Sequence, residues 1–308
     1  MSQIMVVGSL NMDLVVRMPA IPRPGETLLG GRFATFPGGK GANQAVAAAR
    51  LGGKVTMVGR VGADAFGQQL RDGAQSEGID VTCIGVDDQE ATGVALITVD
   101  DKGQNSIAVA SGANFRLTAA DVEQAFQIAA PPDLLVMPLE TPPETILLGA
   151  RLARQCGGRV VLNPAPARPL EDELLRLVDV LAPNEFEAEV LTGITVSDED
   201  AARQAALELL NRGVRSVALT MGGRGSLLAE GSAQRPVFHR IQALSVTPVD
   251  TTAAGDAFVG ALAVALGEGR SLVNAAQFAN AAAAISVTRQ GAQPSLPTRV
   301  EVAELINN

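Results

Sequence analysis

The residues best placed to do chemistry lie in Val249-Asp250-Thr251-Thr252-Ala253-Ala254-Gly255-Asp256-Ala257-Phe258-Val259-Gly260. Small side chains sit between two acids. Phe258, Ala261, Leu262, Ala265 and Leu266 then recur at helical spacing, which predicts a helix starting near Ala254. The first turn of a helix leaves N–H groups without intrahelical acceptors, and its dipole favours negative charge there. Ala253, Ala254 and Gly255 carry so little side chain that a phosphate can come close to those groups. Asp256 falls in the same turn, where a carboxylate can take a proton from an attacking hydroxyl. An isolated Gly-Asp pair would be read as a dipole-complementing acid beside a tight turn; the full run says more.

Other candidates follow strand-like segments. Ile4 to Gly8 reads as a buried strand, and Asn11 and Asp13 come just after it. An amide and a carboxylate suit vicinal hydroxyls; a solvated loop with an Asx turn is the competing reading. Gly38-Gly39-Lys40-Gly41-Ala42-Asn43 opens an Ala-rich helix running to Arg50. It is not a Walker A loop, because Gly41 rather than Ser or Thr follows Lys40. Its backbone can still approach a ligand, with Lys40 and Asn43 as donors. Glu140 lies past the strand Leu134 to Met137. Asn184 and Glu187, three apart at a helix start, form a capping box, which is compatible with a water-mediated Mg²⁺ contact from Glu187. The strand Val214 to Thr220 leads to a turn with Gly222 and Gly225, and a later Ala-rich helix, Ser271 to Thr288, contains Asn280. No GxGxxG fingerprint occurs, which disfavours a nicotinamide-dependent oxidoreductase. The single histidine, His239, is remote from every motif, against a His-based triad.

Strand and helix patterns alternate along nearly the whole chain. The expected fold is α/β, with one doubly wound, mainly parallel sheet flanked by helices over residues 1–308. Two β-rich stretches interrupt that rhythm, about 14–36 and 92–110. The second reads as a hairpin turning at Asp100-Asp101-Lys102-Gly103. Together they suggest a small sheet covering a cleft as a lid, the alternative being an ordinary edge hairpin. Hydrophobic residues make up 47%, but aromatics only 3%, so the core must be aliphatic and alanine-rich. A net charge of −9 argues against nucleic acid or an anionic membrane as partner. Cys83 and Cys156 give neither a disulfide framework nor zinc spacing, no signal peptide is visible, and a reducing cytoplasm is expected.

The Asp256 run and the GGKGAN segment, at opposite ends of the chain, resemble the two signatures of the ribokinase family of carbohydrate kinases, and the likeness spans essentially all residues. The resemblance implies phosphorylation of the 5-hydroxyl of D-ribose with ATP and Mg²⁺ or another divalent cation. It implies that Asn11, Asp13, Gly39, Lys40, Asn43 and Glu140 hold the sugar. Asp256 would be the general base, and Ala253, Ala254 and Gly255 the anion hole. Asn184, Glu187, Thr220, Gly222, Gly225, Gly255 and Asn280 would face the nucleotide, Glu187 helping to place Mg²⁺ through water. Asp250, Thr252, Ser286, Arg289, Gly291 and Ser295 resemble a site for K⁺ as activator, several through carbonyls. A lid that projects from the body exposes an edge and apolar surface, so a homodimer through the lids is expected. A kinase for deoxyribose, fructose or a nucleoside, and a non-catalytic sugar-binding protein on the same fold, are the alternatives. Retention of Asp256 and Gly255 argues against the second.

Overall fold

The computed structural model describes residues 2–307. The strands are β1 (Gln3–Val7), β2 (Asn11–Arg17), β3 (Arg32–Gly38), β4 (Lys54–Gly62), β5 (Ile84–Asp87), β6 (Gly93–Val99), β7 (Asn105–Ala110), β8 (Leu134–Met137), β9 (Arg159–Leu162), β10 (Val180–Leu181), β11 (Ser216–Thr220), β12 (Ser226–Ser232) and β13 (Arg235–Ile241). The helices are α1 (Lys40–Arg50), α2 (Ala65–Ser76), α3 (Ala119–Ile128), α4 (Pro143–Gln155), α5 (Asp172–Leu175), α6 (Glu185–Thr192), α7 (Glu199–Asn211), α8 (Ala254–Gly267), α9 (Leu272–Ser286) and α10 (Arg299–Asn307).

A nine-stranded sheet runs in the order β13-β12-β11-β10-β9-β8-β1-β4-β5. Strands β5 to β11 of that order pair in parallel, while β12 and β13 add an antiparallel hairpin at one edge. The central strands are short, unbroken apolar runs because helices cover both faces. Successive residues point to opposite sides. Ile4, Val6, Leu134 and Val136 therefore pack with α1, α8 and α9, and Met5, Val7, Leu135 and Met137 with α3, α4 and α7. The β12–β13 hairpin was not foreseen from the sequence, although Ser226 to Ala229 is a fully buried run after a glycine turn.

Four strands form a second, smaller sheet in the order β3-β2-β6-β7, with β2 and β6 parallel. Its members begin closer to the body than expected. β2 starts at Asn11 and β3 ends at Gly38, so Asn11 and Asp13 belong to a strand of this sheet rather than to a loop after β1. Residues 18–31, with three prolines, contribute no strand. The β6–β7 turn is tied by Asp100, whose Oδ1 accepts from Lys102 N at 2.9 Å and Gln104 N at 2.8 Å. β7 is exposed throughout, and Phe33, Leu96, Ile107 and Val109 of this sheet present apolar surface to solvent.

Helices α1 and α8 lie almost in contact. A Cβ on Gly260 would sit 2.6 Å from Ala47 Cβ and 2.8 Å from Gln44 O, so only hydrogen fits. This approach brings the first turns of both helices together. No helix among the described residues is long and apolar enough to cross a membrane.

Candidate active site

Helix α8 is apolar on every side, and residues 256–266 are all buried. Asp256 is the one acid in its first turn and is 4% exposed. Burying a carboxylate is costly unless donors compensate. Here α1 supplies them: Asn43 Nδ2 donates to Oδ2 at 3.0 Å and Gln44 Nε2 to Oδ1 at 2.9 Å. Ala253, the residue capping α8, has φ of 60° and is the only non-glycine with positive φ among the described residues. Such a left-handed alanine costs about 1–2 kcal/mol and persists where the surroundings enforce it. It leads into a first turn whose backbone borders a cavity.

That cavity, about 180 Å³, lies outside the carboxyl ends of β9, β10 and β11. Ala253, Ala254, Gly255 and Asp256 line one wall, and Lys40, Asn184, Glu187 and Thr220 the other. The charge of Asp256, and then those of Glu140 and Glu187, raise the Lys40 ammonium above its ordinary value in spite of burial, so it stays protonated. Burial raises the Glu187 carboxyl, opposed by a hydrogen bond from the Asn184 backbone and by Lys40. The capping box is complete. Asn184 N donates to Glu187 Oε2 at 2.8 Å, and Glu187 N donates to Asn184 Oδ1 at 2.8 Å. Asn184 Nδ2 also reaches Glu187 Oε1 at 2.9 Å.

The small sheet closes the other side. Asn11 pairs with Gly38 and Gly93, and Asp13 projects across Gly38, where a Cβ would meet Asp13 Oδ2 at 2.4 Å. Gly39 caps α1 and has no room for a side chain against Asn11 N. Asn11 Oδ1 accepts from Asn114 Nδ2 at 2.7 Å, and Asn114 is itself fixed by Leu10 N at 2.8 Å. Glu140 Oε2 accepts from Lys40 N at 3.0 Å and from the Ser9 hydroxyl. Burial, then the nearby charges of Glu140 and Asp256, raise the Asp13 carboxyl to about 7. Asp13, Glu140, Asp256 and Glu187 thus surround a single ammonium, Lys40, a charge excess that a polyol rich in O–H donors would relieve.

The remaining candidates form two further groups. Gly225 backs onto Ile241 to Ala243, and Asn280 Nδ2 donates to Gln242 O at 3.3 Å, so both meet the same stretch beside the Gly222–Arg224 turn. Neither Gly222, Gly225 nor Asn280 lines the cavity. Asp250 joins two loops: Oδ1 accepts from Thr252 N at 2.9 Å and Thr252 Oγ1 at 2.6 Å, and Oδ2 from Gly291 N at 2.9 Å. Ser286 and Ser295 are buried and turn their hydroxyls onto the backbone carbonyls of Ala283 and Ala292. The guanidinium of Arg289 pairs with Glu301, which leaves Arg289 only its carbonyl to offer.

Ser9, Gln44, Asn114 and Asn163 were absent from the expected set. Gln44 adjoins Asn43 in the α1 signature, and Asn163 follows β9 at the strand ends where ligands gather. Those positions were the available signal; the contacts to Asn11, Glu140 and Asp256 cross 103 to 212 residues of sequence.

Comparison with known proteins bears on family and fold. The family described as "pfkB family carbohydrate kinase" matches residues 1–299. A ribokinase of Haemophilus influenzae is 46% identical over 303 residues, covering 98% of each chain. A deoxyribokinase of Salmonella typhi is 36% identical over 305 residues, covering 99% of this chain and 98% of its own. The structure of Arabidopsis thaliana ribokinase complexed with ribose and ATP superposes with a TM-score of 0.90 at 33% identity, covering 100% of this chain and 99% of that one.

Proposed function

This chain belongs to the pfkB family of carbohydrate kinases, and from that premise we propose that it transfers the γ-phosphoryl group of ATP to the 5-hydroxyl of D-ribose. The observation that carries the reading is a buried carboxylate, Asp256, in the first turn of a helix whose N-terminal residues line a cavity. Phosphoryl transfer asks little covalent chemistry of the protein; it needs positioning, charge stabilisation and a base.

In this mechanism Asn11, Asp13, Asn43, Glu140 and the backbone at Gly39 hold the sugar hydroxyls at the junction of the two sheets. Lys40 stands between the sugar side and the phosphate side, and its held charge attracts the γ-phosphate. Asp256 accepts the proton of the attacking hydroxyl as the bond to phosphorus forms. N–H groups from Ala253 to Asp256 receive the charge that develops on the transferring oxygens. Asn184 and Thr220 border the phosphate side, while Gly222, Gly225 and Asn280 shape a shelf for the base of the nucleotide. ATP brings a divalent cation, for which the buried carboxylate of Glu187 is a fitting partner through water, and the ion neutralises phosphate charge. The small sheet acts as the lid, in one catalytic unit over 1–308.

A monovalent cation such as K⁺ fits the neighbouring loops. The donor set there is all oxygen with a single carboxylate, Asp250, and the carbonyls and hydroxyls of residues 250–252 and 286–295 around it. A large, weakly charged ion suits such a set better than a small divalent one. Its charge would strengthen the anion hole beside it. The apolar residues Phe33, Leu96, Ile107 and Val109 on the small sheet support a homodimer through the lids. The two free cysteines suit the cytoplasm.

The deciding experiment is kcat/KM across a panel of sugars with ATP, each run with and without potassium at constant ionic strength. Ribose should lead, and activity should rise with potassium. A preference for 2-deoxyribose would favour the second reading, which the deoxyribokinase relative motivates. No ADP release with any sugar would sink both. Light scattering should give a dimer at micromolar concentration, and Ile107→Asp a monomer.

A further inference from the structure

We propose that Gln44 is the positioning residue of Asp256, held in one orientation by a chain of amides that starts at a backbone carbonyl. The proposal rests on the reading of Asp256 as the base. Asn163 Nδ2 donates to Ala182 O at 3.1 Å. A carbonyl can only accept, so this bond turns Asn163 Oδ1 toward Gln44. Gln44 Nε2 then donates one hydrogen to Asn163 Oδ1 at 3.0 Å and the other to Asp256 Oδ1 at 2.9 Å. Reversing the Gln44 amide would set its oxygen against two acceptors at once. The carboxylate is thus met by a donor whose direction is fixed two residues away, and one side of Asp256 is left facing the cavity.

The cost of the arrangement is visible. Gln44 is fully buried, and its Oε1 has no hydrogen-bond partner. A buried acceptor without a partner destabilises the fold. A methionine of similar length would remove that orphan, but it would leave Asn163 Oδ1 and Asp256 Oδ1 without the hydrogens they now receive. A side chain kept at the expense of stability, with both of its hydrogens aimed, one at the base and one at the group that orients it, is explained by what it does to the base.

The test is a double-mutant cycle of Gln44→Met and Asp256→Asn, with melting temperature, kcat and both KM values measured on the full chain. Gln44→Met should lower kcat roughly tenfold or more, leave the KM for sugar and for ATP within about twofold, and still give a cooperative melting transition, lowered by the two acceptors left unpaired. In the Asp256→Asn background the same substitution should change kcat by less than about twofold, because its target is gone. Gln44→Glu, which removes the donor and faces the base with a second carboxyl, should be worse than Gln44→Met. Asn163→Leu, which frees the Gln44 amide, should lower kcat severalfold and serves if Gln44→Met does not fold. The proposal is overturned if kcat of a folded Gln44→Met is unchanged, or if the loss is the same in both backgrounds. Should Asp256→Asn alone keep a normal kcat, the base assignment fails first; a collapse of Asp256→Asn beside a normal Gln44→Met sinks only this proposal.

Discussion

The two ends of the large sheet hold cavities of very different size and temper. At the amino ends, Ser2, Asp133, Arg159, Glu268 and Arg299 border a cavity of about 800 Å³. At the carboxyl ends the cavity is about 180 Å³. Size would point to the first. Charge points to the second. At the amino ends each ionic group has its partner: Arg299 has Glu268 and Leu51 O, Asp133 accepts from Gln3 N at 2.8 Å, and Arg159 donates to Leu266 O at 2.5 Å. At the carboxyl ends Asp13 and Glu187 are both raised by burial, and the half-buried Lys40 sits among acids. Unrelieved charge is costly in a folded protein and is tolerated where a ligand relieves it.

Substitutions can break or sharpen this contrast. The largest effect is expected from Asp256→Asn, which keeps size but removes basicity and sets an NH2 where one of the two carboxylate oxygens now accepts. kcat should fall by about 10²–10⁴-fold with ATP binding and the melting curve preserved. Near-normal turnover, or loss through unfolding alone, would remove Asp256 as base. Next is Asp13→Asn, acting mainly on sugar KM by roughly 10- to 100-fold with a smaller change in kcat, since that contact exists before and during transfer.

The raised Asp13 carboxyl gives a pH dependence with a definite sign. Between about pH 4 and pH 7 the folded protein holds a proton there that the unfolded chain has released, so stability is lost as pH rises through that window. Asp13→Asn should therefore stabilise the ligand-free protein by about 1–2 kcal/mol at pH 8, a gain that vanishes toward pH 4. In the parent, sugar KM should climb as pH is lowered from about 8 to 6, because the ionised carboxylate is the better acceptor. A flat KM profile, or a destabilised variant at pH 8, would contradict this. The smallest effect is expected at the opposite end. Glu268→Gln breaks an exposed pair with Arg299, so stability should change by about 1 kcal/mol or less and kcat/KM should stay put. A large loss of activity there would reverse the comparison between the two ends.

What the sequence disclosed follows from how local each signal is. The Asp256 turn and the α1 signature are contiguous, so residue types alone announce a helix start beside small side chains. The Asn184–Glu187 box spans a single turn, and the structure contains both of its bonds. The small sheet was legible because its strands and turns use local chemistry, although its true start at Asn11 was hidden by the short link from β1. Gln44 and Asn163 were marked only by position, one beside Asn43 and one at a strand end. An Ala-rich helix with one more polar residue, and an asparagine before a proline, are ordinary in isolation; the meaning arises only when α1 and β9 converge on α8. The left-handed Ala253 was invisible too, since alanine gives no hint of positive φ.

The way the small sheet is attached bears on how the site can open. β2 leaves the body just after β1, β3 runs straight into α1, β6 follows β5, and β7 returns toward α3. Four chain crossings thus lie along one edge of the sheet, the edge where Asn11, Gly38 and Gly93 pair side by side. Any tilt of the sheet has that edge as its axle. A strand advances about 3.3 Å per residue, so Arg17 swings on a lever of roughly 20 Å while Asp13 has about 7 Å and Asn11 nearly none. A rotation of ten degrees or so would carry the tip by several ångströms and leave the proposed sugar contacts almost where they were. In such a swing the tip would have the long throw, and the sugar contacts would lie at the hinge.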